Sequence, residues 1–160
     1  MTSTLIAFLG CQSLVVLFIA LHDWVPLGRL SNLEGVRTAD STTRLVFVTA
    51  LSTLPFAVGL AASFHYARTH IPDWVTWWLW ITYGFGIYGM LRAWYWPYLF
   101  GGDPARIERY QKRFAHTHAF LPTMHGIRPD TLHVCFHAVL LATVILLGVL
   151  TFRDRLFAFG

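Results

Sequence analysis

Five of the chain's eight histidines fall in one short stretch, "HTHAFLPTMHGIRPDTLHVCFH", from His116 to His137. Imidazole suits Zn, Cu, Fe and Ni, so a cluster of this kind raises metal or haem ligation first. His133 and His137 stand four residues apart at the start of an apolar run, which stacks them on one helical face where they can chelate one ion. His116 and His118 alternate just upstream, and all four rings meet if the intervening loop folds back. His125 is either a further ligand or a solvated ring. His22 ends the first apolar run beside Asp23 and is the ring able to face His137 as a second haem ligand, whereas His65 falls at the opposite end. The plainer alternative makes His133 and His137 inward-facing rings bonded to backbone, Tyr or Thr, and makes His116 and His118 part of an interface loop. Membrane diiron desaturases carry several His-rich boxes with adjacent pairs, and this chain has no His-His.

The composition states what must position these rings. Of 160 residues, 56% are hydrophobic and 12% charged, about half the ~25% charge of a soluble domain. Thirteen Phe, seven Trp and six Tyr accompany them, and Trp and Tyr favour membrane interfaces. A helix crossing the bilayer needs about 20 mostly apolar residues. Four stretches qualify: Leu5 to Leu21, Leu45 to Phe64, Trp74 to Leu91 and Val134 to Phe152. None contains Asp, Glu, Lys or Arg. The expectation is an all-α, polytopic membrane protein of one domain with four transmembrane helices. "MTST" lacks the basic start of a signal peptide, so the first run reads as a retained span.

Basic residues set the orientation. The loop between spans 1 and 2 holds Arg29, Arg37 and Arg44, and that between spans 3 and 4 holds Arg106, Arg109, Lys112, Arg113 and Arg128. Arg68, Arg153 and Arg155 fall on the other side. The positive-inside rule then places both long loops in the cytosol and both termini outside, in what is expected to be a bacterial inner membrane. The net charge of +4 is small and carried by loops, so anionic lipid headgroups are the expected partner and nucleic acid is not.

Local signals fill in the rest. Asp73 and Asp130 precede spans 3 and 4 and can cap their free amides. Asp103-Pro104 opens a short helix over about 104–115. Its Ile107, Tyr110 and Phe114 share a face, with Arg106, Arg109, Lys112 and Arg113 largely off it, as in a helix lying on the membrane surface; a helix packed on the protein shows the same pattern. These four cations and Arg92, at the cytosolic end of span 3, are candidates for anion or headgroup binding. Arg37 with Asp40 and Arg109 with Glu108 read as solvated charges. Gly84, Gly86 and Gly89, with Ala57/Ala61 and Gly59/Ser63, permit close helix approach, within one bundle or between copies of a homo-oligomer. Cys11 and Cys135 read as small buried hydrophobes too far apart to bridge.

No P-loop, GxGxxG, CxxC, GxSxG or HExxH occurs. The layout of four spans with basic loops is similar to that of the microsomal glutathione-transferase superfamily. That family's Arg-x-x-Asn-x-x-Glu motif is absent, and only "RTAD" at Arg37 to Asp40 lies near its place, so the likeness stops at layout. The leading expectation is a metal- or haem-binding membrane protein, with redox chemistry as one use of the site. The alternatives are a homo-oligomeric channel or small transporter, motivated by His137, Pro55 and the glycines of span 3, and a non-catalytic scaffold.

Overall fold

The computed structural model describes the backbone of residues 1–158 and the side chains of residues 1–152, so Arg153 and Arg155 lie outside the described side chains. Among the described residues the chain is helical and forms no strand. The elements are α1 (Ser3–Leu21), α2 (Leu33–Ala39), α3 (Thr42–His65), α4 (Asp73–Met90), α5 (Trp96–Phe100), α6 (Pro104–Phe114) and α7 (Thr131–Ala158). Three helices are long and apolar enough to cross a membrane: Ser3–Leu21, Thr42–His65 and Thr131–Phe152. The fourth expected run does form a helix, α4, of 18 residues, but its Asp, Trp, Tyr and Gly content holds down its hydropathy.

The helix ends follow the sequence. Thr2, Asn32 and Ser41 accept hydrogen bonds from first-turn amides of α1, α2 and α3, which satisfies donors that have no partner inside a helix. Asp73 does not cap α4: Pro72 holds the cap position without a side-chain bond, and Asp73 sits inside the first turn, where its charge suits the helix dipole. Asp103 likewise makes no capping bond; the Pro104 ring starts α6.

Four helices, α1, α3, α4 and α7, pack around one core, each touching two neighbours in the ring α1–α3–α4–α7. Contacts such as Trp24–Thr49, Trp78–Pro55 and Trp80–Thr151 fix antiparallel neighbours. Phe8, Val15, Phe56, Leu79, Tyr83 and Leu140 fill the centre. Gly59 and Gly86 allow the close approach of α3 and α4: a Cβ on Gly59 would come within 2.9 Å of Leu79, and one on Gly86 within 3.1 Å of Phe56. Gly84 and Gly89 meet open space instead. Large apolar side chains such as Phe47, Phe85 and Ile145 point outward.

One end of the bundle is covered. α6 packs on α2, as an amphipathic helix seated on the protein does. The contact is tight at Gly35, where a Cβ would stand 2.6 Å from the Lys112 carbonyl oxygen and 2.9 Å from that of Arg113.

Candidate functional site

The covered end gathers three of the eight histidines, and the set differs from the one expected. His133 and His137 of α7 are joined by His22, not by His116 and His118. The His22 and His133 ring centroids lie 5.4 Å apart and those of His133 and His137 6.2 Å. His116 and His118 are exposed. The His118 ring bonds the Thr131 hydroxyl at 2.7 Å, while its amide and carbonyl tie the loop to Arg29 and Thr131. His125 donates from Nδ1 to the Tyr98 carbonyl at 3.1 Å and occupies a left-handed turn at φ 49°. It works as a loop fastener.

Each ring of the cluster has its Nδ1 occupied. Asp130, 1% exposed, caps α7 by accepting the His133 amide at 3.0 Å, and its second oxygen accepts Nδ1–H of the same ring at 2.7 Å. His22 donates from Nδ1 to the Phe18 carbonyl at 2.9 Å. His137 Nδ1 pairs with the Tyr95 hydroxyl at 3.3 Å. The carboxylate therefore fixes one tautomer of His133 and leaves its Nε2 as a bare acceptor. Nε2 of His133 has no hydrogen-bond partner among the described residues.

Tyr95 and its neighbour Trp94 both reach the cluster because residues Leu91–Tyr95 form a π-helical turn. The wider turn lets two consecutive side chains face the same site, a distortion often found where function resides. Trp94 lies 4.2 Å from the His133 ring at a 32° tilt and 5.0 Å from Phe114. Phe18 and Phe114 meet the same imidazole edge-on. The π turn also frees carbonyl oxygens, and Arg106 caps two of them, at Arg92 and Ala93, at 3.2 and 3.3 Å.

The cations of α6 are committed to the protein. Arg113 bonds Asp23 at 2.5 Å and Asp40 at 3.2 Å, Arg109 pairs with Asp40, and Arg44 reaches the same carboxylate at 3.3 Å. Asp40, 7% exposed, is thus the buried hub of an ion network and not a solvated partner of Arg37. Lys112 pairs with Glu108 at 2.7 Å on the exposed side. Arg92 is exposed.

Charge balance follows from burial and these partners. Burial pushes the Asp40 carboxyl up, but the bond and charge of Arg109, with Arg113 and Arg44, hold it below its ordinary value. Burial likewise opposes ionisation of Asp130, and the His133 ring and the α7 amides outweigh it. His22 is lowered, first by burial and also by the charges of His133 and Arg113, against the pull of Asp23. Its Nε2 stands 3.4 Å from the Asp23 carboxylate.

Sequence reasoning treated Asp130 only as a cap. The Asp-x-x-His spacing, which brings a first-turn ring back onto its capping carboxylate, was the available signal. It reads Asp40 as solvated, and Gln12 escapes it: this amide is fully buried in α1 and faces the equally buried Tyr83 hydroxyl. Cys135 is exposed on α7, contrary to a buried assignment, and both cysteines are unpaired. Among the described residues, no three His, Cys, Asp or Glu side chains converge on a point as metal ligands do. Comparison with protein-family models, with curated proteins and with solved structures finds no match.

Proposed function

We propose that the chain is a four-span membrane protein whose working centre is an acid–base site at one membrane rim, with His133 as the proton acceptor. The observation that carries this is the Asp130–His133 pair. A buried carboxylate holds Nδ1–H and leaves Nε2 without a bond on a ring packed against Trp94, Phe18 and Phe114, the arrangement that prepares an imidazole to take a proton. His137 and His22 stand beside it as the next groups able to carry that proton. The substrate enters from the membrane. Wild type and His133→Gln in nanodiscs, incubated with a total membrane-lipid extract, test the reading. A lipid species converted by wild type alone supports it, and unchanged extracts with both proteins overturn it.

The fourth span is α4. It sits in the ring of helices as the other three do. Trp77 near its start and Trp96 beyond its end are separated by roughly 30 Å of helix at about 1.5 Å per residue, the thickness of the hydrocarbon layer, and both are exposed. The Arg-rich end, with the imidazole cluster, faces the cytosol by the positive-inside rule, and Arg92 contacts anionic headgroups there. Gly84 and Gly89, open on the outer face of α4, are where a second copy packs in a homo-oligomer.

A second reading is favoured by the occupied Nδ1 atoms. Metal-bound histidines typically have the outer ring nitrogen held by a carboxylate or another polar group. His133 and His137, four residues apart, then chelate one Zn, Cu or Fe ion through Nε2, with water or substrate completing its shell. Trp94, Phe18 and Phe114 already pack against the His133 ring, so this reading is of a bare ion. Elemental analysis of protein loaded with each metal and desalted separates the readings: one retained equivalent, lost in His137→Ala, selects the metal site.

A further inference from the structure

A groove of about 330 Å³ runs between α1 and α7, with Leu17, Phe18, Phe136 and Val139 among its walls and His22 and Cys135 its polar or polarisable members. Its size is at the small end of ligand sites, roughly 300–1,000 Å³, which suits one hydrocarbon chain better than two. It faces the bilayer along α7 and continues past the end of α1 to Val25 and Leu27, so it spans from the apolar layer to the rim. A groove with this gradient matches an amphiphile lying parallel to the helices.

The polar end selects the head. His22 spends Nδ1–H on the Phe18 carbonyl, so the neutral ring presents Nε2 as an acceptor. A carboxylate oxygen of Asp23 stands 3.4 Å from that atom. Two acceptors side by side call for a donor. A hydroxyl supplies one; a phosphate diester and an ether do not. Arg113 does not reverse this preference, because it is already bonded to Asp23 and Asp40.

We propose that the groove between α1 and α7 holds a single-chain amphiphile whose hydroxyl head donates a hydrogen bond to Nε2 of His22. Long-chain alcohols, monoacylglycerols and prenylated phenols share this chemistry. The proposal names the substrate class of the acid–base site above, since the His22 and His133 rings are in contact, and it rests on that reading for its purpose. Occupancy does not require turnover, so the test reads binding alone.

The probe is a hexadecanol carrying a photoreactive diazirine in its chain, applied to wild-type protein in nanodiscs, with labelled residues mapped by mass spectrometry. The expected result is saturable labelling concentrated at Leu17, Cys135 and Val139, displaced by unlabelled hexadecanol at least ten times better than by its methyl ether or by phosphatidylcholine. Leu17→Trp, which fills the groove at a position that is 53% exposed and so tolerates bulk, is expected to abolish the saturable fraction. His22→Phe is expected to erase the preference for alcohol over ether while retaining labelling. Labelling spread evenly over the outward residues of all helices, or displacement by phosphatidylcholine as effective as by the alcohol, overturns the proposal. Saturable, alcohol-selective labelling of wild-type protein that converts no lipid leaves the binding proposal standing and removes the acid–base reading.

Discussion

Replacing Asp130 separates its two tasks. One oxygen caps α7 and the other holds the His133 ring at 2.7 Å. Asn is as good a helix cap as Asp, so Asp130→Asn keeps the capping bond. Its amide N–H₂ then faces His133 Nδ1 and donates to it, which drives the ring proton to Nε2. Asp130→Ala loses both bonds: about 1 kcal/mol for the cap and about 1.5–3 kcal/mol for a hydrogen bond to a charged group. The expected cost is therefore roughly 2.5–4 kcal/mol for Ala, and about 1–1.5 kcal/mol for Asn, since the cap survives and a neutral hydrogen bond of about 0.5–1.5 kcal/mol replaces the charged one. Reversible unfolding in detergent measures the two losses. Nitrogen-15 NMR of the histidine rings reads the tautomer, with Nδ1–H expected in wild type and Nε2–H in Asp130→Asn. The reasoning is refuted if both proteins show the same His133 tautomer, or if Ala and Asn destabilise equally.

Further perturbations follow from the same contacts. Asp40→Ala leaves Arg113 without one of its two partners, and the loss is expected to be about 2–3 kcal/mol, below the ~3–5 of a fully buried pair, because Arg44 and Arg109 are half exposed; thermal unfolding measures it. Gly35→Ala forces a methyl group onto two carbonyl oxygens of α6, and an overpacking cost of about 1–3 kcal/mol should appear with faster proteolysis between α6 and α7. Gln12→Leu removes the buried amide that faces the buried Tyr83 hydroxyl and should cost about 1–3 kcal/mol by leaving that hydroxyl alone, a loss that the double variant Gln12→Leu, Tyr83→Phe should recover; equal losses in the single and double variants contradict that. Acidification should destabilise the fold in two stages. The His22 ring is lowered in the folded state, so the unfolded chain binds the extra proton and stability falls below about pH 6.5. Asp40 and Asp130 are held below their ordinary values, so their contribution is present above about pH 4 and is lost beneath it. Unfolding midpoints that stay level from pH 8 to pH 3 contradict this.

The helices were legible because their signals are local. Runs without charge, caps at Thr2 and Ser41, and the proline of Asp103-Pro104 mark boundaries within a few residues. The i, i+4 pair His133–His137 was legible for the same reason. The remaining members of the site depend on distances that no local pattern encodes. His22 reaches His133 only because α1 and α7 pack antiparallel. Trp94 and Tyr95 reach the cluster only through a π turn, which has no strong sequence signature. Asp40 looked solvated because its partners Arg109 and Arg113 lie some 70 residues away. His116 and His118 were drawn in by spacing alone, and the loop that carries them turns their rings outward.

The central claim is that α4 crosses the bilayer with its three neighbours and leaves the imidazole cluster at one rim. Single cysteines introduced as Thr69→Cys, between α3 and α4, and as Thr123→Cys, between α6 and α7, in a Cys11→Ser, Cys135→Ser background measure this directly. Both positions are exposed. A membrane-impermeant maleimide applied to right-side-out cells should label the first and spare the second, and inverted vesicles should reverse the pattern. Labelling of both positions from the same side contradicts the account.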